Sequence, residues 1–131
     1  MTALVVSRGL GADIDTEKKK LQGTWTSVSF EGTGLLKNSK TVTLVFDGDK
    51  VLATIGDEIT KYEVALDIDM NPKHIDLIPM SGKTRYFDQL DQGIYSVEGD
   101  VITLCMGGQR RPSRFELRPN TVDSLIKLKR K

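Results

Sequence analysis

The residues in this chain with the types and spacing to do chemistry are few and scattered. His74, the only histidine, and Asp76 form H-x-D. On a strand they share one face, as a base and the group that orients it must. One histidine leaves too few ligands for a zinc site, so the pair reads as a solvated strand face. The acidic pairs Asp47/Asp49, Asp67/Asp69 and Glu98/Asp100 invite a calcium reading, but none follows the twelve-residue calcium-loop pattern. Asp beside Gly is what tight turns need, and the spacing gives no reason to set two carboxylates across a sugar bond. Cys105, in the apolar run VITLCM with no histidine near it, reads as a small core residue rather than a nucleophile. No G-x-S-x-G, P-loop or dinucleotide-binding signature occurs. The expectation is a non-enzymatic protein with no catalytic residue, no metal and no cofactor.

Composition narrows the partners. Nineteen basic residues against eighteen acidic ones give a net charge of +1, which makes no case for nucleic acid or an acidic membrane. Arg110, Arg111 and Arg114, with Lys127, Lys129, Arg130 and Lys131, form the most basic region. They could grip a phosphate or carboxylate, but read first as a solvated face. One Trp, three Tyr and four Phe show no stacking pattern for single strands. No apolar run approaches the roughly twenty residues of a membrane span. The apolar run at 3–6 is too short for an export signal, and no positive charge precedes it. The literal chain reads as cytoplasmic, or as exported if a longer signal has been trimmed. A lone cysteine excludes an internal disulfide and agrees with a reducing compartment.

These residues need elements to position them. At 131 residues, one domain is expected, with 1–14 a flexible N-terminal segment and 15–131 the folded unit. Asp15 or Thr16 can start a short helix, with Glu17 in its first turn, Lys18 to Lys20 toward its end, and Gly23 to stop it. From Trp25 the period changes to two. Thr24, Thr26, Val28 and Phe30 alternate with Trp25, Ser27 and Ser29, so the tryptophan falls on the opposite parity from Val28 and Phe30. A bulge or sharp bend between Trp25 and Phe30 is therefore predicted. Further strands alternate through Val42, Leu44 and Phe46; 51–55; Tyr62, Val64 and Leu66; and Ile75 and Leu77, ending at Pro79. Others follow at 93–97, 101–106 and, briefly, 114–117, and the last turns Ile126 and Leu128 inward. Asp47-Gly48-Asp49, Gly56-Asp57 and Glu98-Gly99-Asp100 are hairpin signals. There is no room for parallel crossovers, and a sheet of this many strands tends to close. The fold class expected is all-β: an eight-stranded antiparallel up-and-down barrel with a short N-terminal helix.

A short helix followed by Gly23-Thr24-Trp25 at the head of such a meander resembles the lipocalin and calycin proteins. The ordered segments LQGTW, HIDLIP, GIYSVEGDVITLCM, RRPSRFEL and LIKLKR more closely resemble an uncharacterised lipocalin-like domain family abundant in planctomycetes and related bacteria. The resemblance covers about 21–130 and implies a fold without an established activity. It also implies that a basic residue near the C-terminus packs over Trp25 and closes one barrel end. Arg130 is the best match because it shares parity with Ile126 and Leu128; Arg114 and Arg118 are rivals.

By fold-level analogy, the expected function is binding of a small apolar ligand at the other end. Tyr62, Tyr95, Leu104 and Met106 are the candidate walls, and Arg85 and Tyr86, on the long aperiodic stretch 81–92, the candidate mouth. A barrel this small can equally be filled by its own side chains. The alternatives are an interaction module working from the barrel exterior, with Leu35 and Leu36 as its apolar contacts, and a small barrel enzyme with Arg85 or Arg114 inside. The oligomeric state is left open.

Overall fold

The computed structural model describes residues 13–32, 41–82, 91–108, 110–121 and 123–131. One helix, α1 (Ile14–Leu21), leads into eight strands: β1 (Gly23–Gly32), β2 (Val42–Asp47), β3 (Lys50–Ile55), β4 (Glu58–Asp67), β5 (Lys73–Gly82), β6 (Asp91–Glu98), β7 (Val101–Met106) and β8 (Ser124–Arg130). Each strand pairs antiparallel with its neighbour in sequence, and β8 returns to β1, so the sheet is a closed up-and-down barrel. Among the described residues, closure pairs every strand on both sides, although the end of β5 runs past its ladder with β6. The predicted hairpins fall at Gly48-Asp49, Gly56-Asp57 and Gly99-Asp100.

Alternation along each strand decides what is inside. Val42, Leu44 and Phe46 of β2, Val51 and Ala53 of β3, Ile75 and Leu77 of β5, and Ile126 and Leu128 of β8 belong to one buried cluster with Trp25, Tyr95, Ile102, Leu104 and Met106. The parity conflict in β1 is resolved as predicted. The β1–β8 register shifts between Ser27 and Ser29, so Val28 has no opposite residue on β8. The extra residue lets both Trp25 (fully buried) and Phe30 face inward. Val28, expected on the same face as Phe30, is instead 62% exposed.

Three local expectations fail. Pro79 does not end β5, which continues to Gly82. The ladder between β5 and β6 runs only as far as Leu77↔Asp91, so Pro79 stands beyond it, where its missing N–H costs no β6 bond. The 114–117 stretch is not a strand: residues 113–116 are bends in a long β7–β8 connection. Its alternation comes from packing on the barrel's outside, not from a ladder. The helix begins at Ile14 after Asp13, which makes no side-chain capping bond. Among the described residues, no helix is long and apolar enough to cross a membrane.

Candidate functional site

The barrel's two ends are built differently. At the α1 end, Trp25 donates its indole N–H to the Leu21 carbonyl at 2.8 Å. The Arg130 guanidinium lies over the indole, 4.2 Å from the ring centroid. It also donates to the carbonyls of Lys20 and Gln22, each at 2.6 Å. One arginine thus satisfies carbonyls that the end of α1 leaves without partners, sits on a π face, and complements the negative end of the helix dipole. Gln22 receives the Gly48 N–H on Oε1 at 2.7 Å and tethers the β2–β3 hairpin. Gly23 is required twice: its φ is +112°, and a Cβ there would come within 3.2 Å of Arg130 Nη1. The rivals for this role are elsewhere. Arg118 pairs with Asp123, and Arg114 is exposed beside Glu116.

Sequence reasoning placed Glu17 only in a helical first turn. The structure puts it inside the barrel end, almost fully buried. Its Oε2 receives the Tyr95 hydroxyl at 2.9 Å and Lys73 Nζ at 3.0 Å. Burial pushes the Glu17 carboxyl up, but the hydrogen bonds from Lys73 and Tyr95 outweigh it and hold it below its ordinary value. Burial, and then the bond to Glu17, push the Tyr95 phenol far upward. The available signal was the i,i+4 spacing of Glu17 and Leu21, which puts both on one helix face. Tyr95, a candidate cavity wall, is therefore committed to docking the helix. Beside it the crevice under α1, lined by Leu21, Phe46, Val64 and Leu66 among others, has a volume of about 10 Å³. That is room for about one water molecule.

At the other end the inward-facing residues are of another kind. Strand pairing carries the inward parity from Val64 to Leu77 and on to Asp91. Phe30, Ile55 and Tyr62 pack on the edge of the buried cluster and are only partly buried. Leu104 is at mid-barrel, opposite Tyr95 and Ile126. Met106 lies opposite Gly93 and fills the space a side chain there would need: a Gly93 Cβ would fall 2.3 Å from Met106 Sδ. Asp91 Oδ1 accepts the Gly108 N–H at 3.0 Å. Burial pushes the Asp91 carboxyl up to about 6, with the Asp76 charge adding to it. Burial, and then the Asp91 charge, raise the Tyr62 phenol. The structure thus brings Tyr62, Met106 and Asp91 to the end opposite α1, and Asp91 was not among the sequence candidates. Arg85 and Tyr86, like Leu35 and Leu36, lie outside the described residues.

The β7–β8 connection crosses the outer wall. Ile94 and Cys105, paired across β6 and β7, are buried but stand apart from the interior cluster. Cys105 Sγ is 3.7 Å from the Glu116 carbonyl, which places this segment over them. Burial raises the thiol, so it is a poor nucleophile as folded. Arg118 grips the fully buried Asp123 with two bonds of 2.8 Å. Arg111 reaches the outer face of β5 and β6, pairing with Asp76 at 2.8 Å and donating to the Gly93 carbonyl at 2.9 Å. Arg111 and Arg118 are thus held by separate partners, Asp76 and Asp123, while Arg114 is exposed beside Glu116. Asp76, which the spacing offered as a partner for His74, is held by Arg111. A crevice of about 50 Å³ lies within the segment, among Pro112, Arg114, Glu116 and Arg118. Ligand sites of drug size are several times larger. Among the described residues, no three His, Cys, Asp or Glu side chains gather as a metal site requires. No family model, curated protein or solved structure matches the chain.

Proposed function

We propose that this chain is a non-enzymatic, lipocalin-like barrel of the calycin type that binds a small, mostly apolar molecule at the end opposite α1. One observation carries the reading: the two ends are unequally finished. The α1 end is closed by Trp25, Arg130 and the Glu17–Tyr95–Lys73 cluster. Half-buried inward side chains occur at both ends, but Val64 and Leu66 at the α1 end lie beside Leu21 and Gln22 under the helix, whereas among the described residues no helix covers Phe30, Ile55 and Tyr62. Inward apolar side chains not fully covered by the described residues are what a ligand's apolar body would cover. The polar groups beside them, Asp91 and the buried Thr60, would orient it.

The test is titration of the intact protein with a neutral fluorescent apolar probe, N-phenyl-1-naphthylamine, with 1-octanol as competitor. The expected result is saturable one-to-one binding that octanol displaces and that Ile55→Lys abolishes, while Leu52→Lys, on the outer face, leaves it intact. No saturable binding, or equal loss in both variants, overturns the proposal.

A further inference from the structure

Two carboxylates face the barrel interior where the same pair of strands could serve them, and among the described residues only one of them has a cation. Glu17 is neutralised by Lys73 of β5 at 3.0 Å and bonded by Tyr95 of β6 at 2.9 Å. Asp91 lies on β6 two inward positions beyond Tyr95, opposite Leu77 of β5. Among the described residues it accepts from one neutral donor, the Gly108 N–H. Among the described residues no Lys or Arg forms an ion pair with it. Arg111, the cation that reaches β5 and β6 nearby, lies on the outer face, held by Asp76, Gln92 and the Gly93 carbonyl.

An inward carboxylate without a counter-charge is costly to keep, and a stable barrel has no packing need for one. The same position could hold Asn or Leu. Asp91 is also flanked by apolar surface, with Leu77 opposite it and Met106 on the next strand. An apolar wall interrupted by one negative group that no cation among the described residues pairs is complementary to a molecule with an apolar body and one positive group. The raised carboxyl, pushed up to about 6 by burial, agrees with a site that awaits a cation.

We propose that Asp91 is the polar anchor of the site and that its ligand is a small amphiphilic amine, with its ammonium at Asp91 and its apolar body toward Tyr62, Ile55 and Phe30. This deepens the binding reading above and rests on it. A charge-assisted hydrogen bond in a partly desolvated site is roughly twice as strong as a neutral one, so the amine should outrank its neutral analogue clearly.

The experiment is isothermal titration of the intact chain, near neutral pH, with n-octylamine, 1-octanol and octanoate, which share one apolar body. The expected order is amine tightest, alcohol weaker by about tenfold or more, and carboxylate weakest. Asp91→Asn should erase the amine's advantage while leaving octanol affinity unchanged. Asp57→Asn, which removes an exposed carboxylate at the same end of the barrel, should preserve the advantage. Equal binding of amine and alcohol by the unaltered chain, or an amine preference that survives Asp91→Asn, overturns this proposal while leaving apolar binding intact. Binding of none of the three overturns both.

Discussion

Replacing Asp91 with Asn should make the protein more stable, and only where the carboxylate would be ionised. The Asp91 carboxyl is raised from 3.8 to about 6, first by burial and then by the Asp76 charge. The folded chain therefore holds a proton that the unfolded chain releases. The stability this group contributes is full below about pH 4 and is lost as pH rises through about 6. Each pH unit between those values corresponds to about 1.4 kcal/mol, so the ionised group costs about 3 kcal/mol near pH 7.5. Asn carries no charge to desolvate, and its carbonyl oxygen can still accept the Gly108 N–H. It does put an amide N–H₂ where a carboxylate oxygen was, at a cost of about 1 kcal/mol. The expected net gain is about 1–2 kcal/mol near pH 7.5, falling to zero or slightly below near pH 4. Urea unfolding of both proteins at the two pH values, with equal m-values, measures it. A variant destabilised near pH 7.5, or a difference independent of pH, would refute the view of Asp91 as an uncompensated interior charge.

Three other perturbations test the frame around the site. Arg130→Lys keeps the charge but loses the paired bonds to Lys20 and Gln22 and the planar stack on Trp25; a loss of about 2 kcal/mol and a red shift of Trp25 emission are expected in chemical denaturation and fluorescence. Gly93→Ala drives a Cβ to 2.3 Å from Met106 Sδ and 2.6 Å from the Cys105 carbonyl. Because one of those atoms is backbone, the expected loss is about 3 kcal/mol, and adding Met106→Ala should restore only part of it in the same denaturation assay. Asp123→Asn removes the buried partner of Arg118, so the β7–β8 connection should loosen and Cys105 should react with an aromatic disulfide reagent at least tenfold faster, while far-ultraviolet circular dichroism stays that of the barrel.

Much of the barrel was legible in the sequence because its strands are half-buried and alternate. Val42-Leu44-Phe46 and Ile126-Leu128 gave their faces directly, and the Gly/Asp hairpins gave their ends. The β1 bulge was legible as a conflict of parity, although Val28, which shares parity with Phe30, turns outward at the bulge. Residues whose environment comes from distant strands were not legible. Glu17 looks like an ordinary charge in a lysine-rich helix until Lys73 and Tyr95 meet it. Asp91 lies inside the stretch 81–92 that reads as aperiodic, although β6 begins there, so only its pairing with Leu77 marks it as inward. The 114–117 segment misled because a strap lying on a wall alternates covered and exposed side chains much as a strand does. Pro79 misled because a missing donor matters only where a neighbouring strand would accept from it.

The proposed site takes a ligand's apolar body into the barrel at the end opposite α1. Methyl-labelled protein with added 1-octanol, read by intermolecular nuclear Overhauser effects, tests this most directly. Contacts are expected to the methyl groups of Ile55, Leu77 and Met106, and none to Leu21 or Ile102 beside the closed end. Contacts confined to Leu52, Ile59, Ile78 and Met80, which are exposed on the barrel's surface, would contradict it, as would the absence of any contact.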